Sequence, residues 1–180
     1  VEAEKRGYDI TFINHNISGR SMTYLEHCHY RSVDGVVIAC VNFYDPQVVE
    51  LVNSDVPVVT IDHVFNNRMA VLSDNVAGLK ALVKQAWACG HRRIAFIHGE
   101  KTSVTENRIA GFYQACEELG LEIPEEYVRD GVYHDVERCA EETRALLALP
   151  QRPTCIIFPD DFSALGGYNA LAEAGLSIPE

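Results

Sequence analysis

Five side chains have the chemistry to grip a small polar molecule: Asp62, Arg108, Tyr133, Asp160 and Asp161. Arg108 lies in TENRIAGFYQACEELGL (105–121), where helical spacing sets it on one face with Phe112, Ala115 and Leu119. An arginine that starts on an apolar stripe needs partners, because burying an unpaired charge is costly. Either it pairs with an acid such as Asp161, or its planar fork of donors grips adjacent ligand oxygens, a geometry suited to vicinal diols or a carboxylate. Asp62 ends the run VPVVTID (56–62), and Asp160 and Asp161 follow TCIIFP. Parallel α/β sheets bind ligands beyond the carboxyl ends of their strands, which is where these acids fall. The plain alternatives are a turn residue for Asp62 and a helix cap for Asp161. Tyr133, in RDGVYHD, offers a face that can stack on a sugar ring or a base, and it can equally be a core or rim tyrosine.

Catalytic and metal chemistry find less support. His27, Cys28 and His29 are adjacent, and on a helix they diverge by about 100° each, so they cannot readily converge on one ion. His63 reads as a surface or rim residue. There is no GxSxG, no P-loop and no GxGxxG opening a helix after a strand. Asp160 and Asp161 are consecutive, so their side chains diverge rather than face each other across a substrate. No cofactor, no metal and no enzymatic activity is expected, although a hydrolase or lyase using the strand-end aspartates with Arg108 is the reading outside the binding class.

The elements that must position these residues alternate between short β-branched runs and longer segments of helical period, the mark of a parallel sheet covered on both faces. Strands are expected at 9–14, 35–40, 57–62, 70–73, 93–98, 127–132 and 153–159. Helices are expected at 75–89, 105–119, 136–149 and 161–174, three of them stopped by Gly90, Gly120 and Gly175. A short helix tail precedes the first strand. The fold class is therefore α/β, and 180 residues correspond to one compact domain or two small lobes.

Charge and composition narrow the function. Fifteen Lys plus Arg against 26 Asp plus Glu leave a net charge of −11, a poor footprint for nucleic acid. No apolar run approaches the roughly 18 residues of a membrane span, and the amino terminus lacks the apolar core of an export signal. Six dispersed cysteines without a CxxC pair suit thiols in a reducing, cytoplasmic setting better than a disulfide framework.

The blocks VDGVVIA (33–39), VPVVTID (56–62), SDNVAG (73–78) and CGHRRIAFIHG (89–99), continued by 105–121 and by PTCIIFPDDFSALGGYNALAEAGLSIPE (153–180), resemble the effector-binding core of lactose-repressor (LacI/GalR) type regulators. The resemblance covers nearly the whole chain, and the order and spacing of the blocks make it specific. It implies a type I periplasmic-binding-protein-like fold: two Rossmann-like lobes with parallel sheets, here 1–98 and 99–180, closing on a small ligand. Measured against that family, the helix-turn-helix, the first strand with its helix and the last carboxyl-terminal segment are missing, so a core truncated at both ends is expected. PDDFSALG is similar to a family signature whose acids bond ligand hydroxyls, with Asp160 where Asn is more usual. RIAG is similar to the family's ligand-contacting arginine position, Asp62 to a frequent cleft aspartate, and Tyr133 to an aromatic that follows a glycine.

The resemblance also implies a small-molecule effector, most simply a sugar, and operator DNA bound only through the absent headpiece. It implies a homodimer as well, with the surface helices around 45–53 and 75–89 as interface candidates. The alternative binder is the solute-binding component of a sugar transporter, which would require export.

Overall fold

The computed structural model describes residues 2–13, 16–17 and 20–179. The chain divides into two compact units, Val1–Ser73 and Asp74–Glu180.

In the first unit, a short helix α1 (Glu2–Lys5) and a hairpin of β1 (Asn16–Ile17) and β2 (Arg20–Ser21) precede α2 (Tyr24–Arg31), β3 (Val36–Ile38), α3 (Pro46–Asn53), β4 (Val58–Ile61) and β5 (Met69–Val71). Local chemistry starts the helices. Thr23 and Glu26 close a capping box on α2, and Asp45 accepts the Gln47 N–H ahead of Pro46 at the first turn of α3. Strands β3, β4 and β5 form a parallel sheet in that order, with Val37 beside Val59 and Val59 beside Met69. Cys28, Ile38, Val48, Leu51, Val52, Val56 and Val58 make its core. The other face of the sheet is open: Val37 is 65% exposed, Met69 74% and Val71 60%.

The strand expected at 9–14 is not formed. Residues 9–13 carry no sheet pairing, and Asn14 lies outside the described residues. A strand exists only through its neighbours' hydrogen bonds, and among the described residues this segment has no such neighbour. The other expected strands form in shortened versions, except that the one expected at 70–73 is shifted to Met69–Val71, because only the residues that find a register partner count as sheet.

The second unit runs α4 (Asn75–Ala88), β6 (Ile94–His98), α5 (Ser103–Glu118), a 3₁₀ turn (Glu125–Tyr127), β7 (Val128–Asp130), α6 (Val136–Leu147), β8 (Cys155–Ile157) and α7 (Asp161–Glu173). Its parallel sheet has β6 between β7 and β8. Alternation along β6 serves two cores. Ile94 and Phe96 pack with Leu79, Val83, Ala86, Phe112, Ala115 and Cys116 of α4 and α5, whereas Ala95 and Ile97 pack with Tyr127, Cys139 and Leu146. This explains why β6 reads as a continuous apolar run. Helix α4 pairs with α5, and α6 with α7. The first pair approaches closely: a Cβ on Gly111 would stand 2.5 Å from the Val76 carbonyl oxygen.

The expected lobe boundary at 98/99 is thus corrected to 73/74. Helix α4 buries its apolar face against α5, and β6 is the centre of the second sheet, so both belong to the second unit. Among the described residues no helix is long and apolar enough to cross a membrane.

Candidate functional site

The candidate site of the second unit assembles from three strand ends and the helices α4 and α5. Glu100 follows β6, Tyr133 follows β7, and Pro159 with Asp160 follows β8, while α5 supplies Thr105 and Arg108. The expected inward placement of Arg108 holds in that Phe112 and Ala115, on its face, are fully buried. The arginine itself is half-buried. Its Nε donates to Asn75 Oδ1 at 2.9 Å and its Nη1 to the Pro159 carbonyl at 2.8 Å. Its Cζ lies 5.6 Å from the centroid of the Tyr133 ring. No ion pair with Asp161 is present, and among the described residues no carboxylate answers this charge. Two neutral acceptors and a ring hold the guanidinium in place and leave Nη2 available.

Tyr133 is anchored at both ends. Its N–H donates to Glu100 Oε2 at 2.8 Å, and its hydroxyl lies 2.9 Å from the Thr105 hydroxyl, which is buried. The ring lies over Gly99, where a Cβ would stand 2.2 Å from the ring edge, so only glycine admits this position.

The neighbouring aspartates have different tasks. Asp160, not Asp161, is the N-cap of α7. Its Oδ1 accepts from the Ser163 N–H at 2.9 Å, and its Oδ2 accepts from the His134 N–H at 2.9 Å and the Ser163 hydroxyl at 3.0 Å. Burial pushes the Asp160 carboxyl up, but these hydrogen bonds and the nearby His134 outweigh it and hold it below its ordinary value. Asp161 is exposed in the first turn of α7, and its carboxylate makes no hydrogen bond or ion pair with the described residues.

Asp62 belongs to the first unit, where it ends β4 in a left-handed conformation, φ 58°. Its N–H donates to the Val71 carbonyl, and its carboxylate accepts the Ser73 N–H at 2.7 Å and the Ser73 hydroxyl at 3.1 Å. It ties the end of β4 to the segment after β5. His63 is not a simple rim residue: its ring stacks on Phe43 at 4.4 Å, meets Phe65 at 4.7 Å edge-on, and has its pKa lowered by burial. The histidine–cysteine cluster separates, with His27 and Cys28 buried and His29 exposed. The His27 ring accepts the Arg31 Nε–H at 2.7 Å.

Sequence reasoning missed Asn75, Glu100, Thr105 and His134. Asn75 was legible only as the start of α4, and nothing in spacing could assign its amide oxygen to an arginine 33 positions away. The pattern Thr102-x-x-Thr105 was readable as a helix start, since Thr102 caps α5.

Parallel-sheet α/β units with polar side chains gathered beyond their strand ends define a periplasmic-binding-protein-like domain of type I. The chain belongs to the family of periplasmic binding proteins and sugar binding domain of LacI family, whose model matches residues 1–180. It is similar to the HTH-type transcriptional repressor PurR of Haemophilus influenzae, 30% identical over 98% of this chain and 53% of the relative. The chain spans about half the length of the curated relatives it matches. Among solved structures it is similar to a LacI transcriptional regulator from a Rhodococcus species, with TM-score 0.83, 25% identity and coverage of 98% of this chain and 66% of that one. It is also similar to a regulatory protein of LacI family from Chloroflexus aggregans, with TM-score 0.71, 30% identity and coverage of 85% and 56%.

Proposed function

We propose that the chain is the effector-sensing core of a transcriptional regulator and that it binds a sugar or similar small polar effector. The observation that carries this reading is Arg108: a half-buried guanidinium held in a fixed pose by neutral acceptors, with donors left over and no ion pair among the described residues. Such a group is suited to adjacent ligand oxygens. Tyr133 supplies a rigid face for a ring, Asp161 an uncommitted carboxylate for a hydroxyl, and Asp160 a helix start that fixes both. Asp62 is a candidate effector contact from the first unit, through whichever lone pairs Ser73 leaves open.

Effector binding would act by shifting the population of conformers, and DNA contact is assigned to a helix-turn-helix headpiece outside this chain. The relatives named as HTH-type repressors support that assignment, as does the acidic balance of the core. A cytoplasmic homodimer is the working form of the reading.

The test is calorimetric titration of the full-length protein with pentoses, hexoses and nucleobases. Arg108→Ala is expected to weaken the binding sugar or base at least about tenfold, or about 1.4 kcal/mol. Arg108→Lys, which keeps the charge but loses the fork, should weaken it nearly as much. Unchanged affinity in both variants would remove Arg108 from the site. An effector that binds but leaves operator affinity unchanged would favour the transporter-component reading instead.

A further inference from the structure

Cys89 and Cys155 belong to different elements but share one corner of the second unit. Cys89 caps the carboxyl end of α4. It stands three positions beyond Ala86, on the same side of the helix, and Ala86 is part of the cluster against which Cys155 packs. Cys155 opens β8 and pairs in register with Ile94 of β6. Hydrogen bonds lace the two segments together. The His91 ring nitrogen lies 3.0 Å from the Thr154 hydroxyl, and the Arg93 carbonyl accepts the N–H of Thr154 at 2.8 Å and of Cys155 at 3.3 Å.

The two thiols differ in access. Cys89 is exposed and its sulfur accepts from Gln85 Nε2 at 3.6 Å. Cys155 is half-buried, and burial, followed by the charge of Cys89, raises its pKa. Of the other thiols, Cys28, Cys116 and Cys139 are buried, and Cys40 is exposed in the first unit.

We propose that Cys89 and Cys155 are an oxidisable pair, converted by a hydroperoxide into a disulfide that ties the end of α4 to the start of β8. Cys89, as thiolate, attacks one peroxide oxygen; the O–O bond breaks, that oxygen stays on sulfur as a sulfenic acid, and the other leaves as hydroxide or alkoxide, which takes up the proton released by the thiol and becomes water or an alcohol. The Cys155 sulfur then attacks the Cys89 sulfur, the S–S bond forms, and the hydroxyl departs as water with the Cys155 proton. Two thiols lose two electrons in all, and the peroxide gains them. The position of the pair gives the bond a target. The first residue of α4, Asn75, and the carboxyl-terminal sequel of β8, Pro159, are the two acceptors of Arg108. A disulfide fixes the opposite ends of those same two elements.

The experiment treats the full-length protein with a slight excess of hydrogen peroxide, quenches with an alkylating agent and maps non-reduced peptides by mass spectrometry. The expected product is one peptide pair joined through Cys89 and Cys155, released by dithiothreitol and absent from Cys89→Ser and Cys155→Ser. Cys89 carrying sulfinic acid beside an alkylated Cys155, or cross-links between copies in place of the internal bond, would overturn the pairing. Hydrogen exchange of the oxidised protein should be several-fold slower than that of the reduced protein in the first turn of α4 and at residues 158–160. Exchange that is unchanged there would overturn the link to Arg108.

Discussion

Asp160 and Asp161 are neighbours in sequence, but only the first is bonded to the fold through its side chain. Asp160 accepts three hydrogen bonds at the start of α7, so Asp160→Ala is expected to destabilise the fold by about 0.5–2 kcal/mol in urea titration. Asp161→Ala should leave stability within about 0.5 kcal/mol, because the residue is exposed and not bonded to the fold, yet weaken effector binding. The sequence PDDFS could not say which aspartate caps. That choice depends on which residue adopts extended backbone before the helix, here Asp160 at φ −161° and ψ 173°. The same holds for Arg108: its inward face was legible from spacing, but its partners were not, because they come from two distant segments.

At the scale of elements, the pairing of α4 with α5 rests on a contact that tolerates no methyl group. Gly111→Ala would force a Cβ into the Val76 carbonyl and is expected to cost about 1–3 kcal/mol, measured by denaturant unfolding, with effector affinity falling too because Asn75 and Arg108 sit on the two displaced helices. The same helices are joined at the surface by Glu118, which meets Lys80 at 2.5 Å and Lys84 at 2.9 Å. Hydrogen bonds from Lys80 and then Lys84 bring its carboxyl down to about 2 from 4.5. A depressed carboxylate stabilises the fold above its unfolded pKa, and the benefit fades as pH falls from about 4.5 towards 2. Glu118→Gln should therefore flatten the acid limb of a stability profile in that window, and added salt should do the same in the parent protein because the pair is exposed. Helix limits were readable from caps and glycines to within a few residues. The strand expected at 9–14 was not, since alternation in Asp9–Ile13 records a propensity that only a neighbouring strand can realise.

Over the whole molecule, the α/β class and the order of elements were legible because β6, the central strand of the second unit, is buried on both faces and the helices around it bury one face each. The boundary between units was not, because it depends on which helix packs with which, and α4 chooses α5. The proposed homodimer is checked by light scattering of the full-length protein over a range of concentrations, with twice the chain mass expected. Both helices bury one apolar face, but α4 exposes Leu82 and Trp87 where α3 exposes Val49 alone, so α4 offers the larger apolar surface of the two interface candidates. Charge substitution at Leu82 should raise the dissociation constant if that surface is used, and leave it unchanged otherwise.

The open face of the first sheet has a practical consequence for anyone handling this chain alone. Val37, Val59 and Met69 lie in one row, with Ile61 and Val71 beside them, and most of that row is in water. An exposed apolar face of this kind is a site of self-association, and at a pH near 5.0, where the net charge of the chain vanishes, charge repulsion between copies is at its weakest. Purification of these 180 residues should therefore stay well above that pH, and turbidity on acidification would report this face before it reported unfolding.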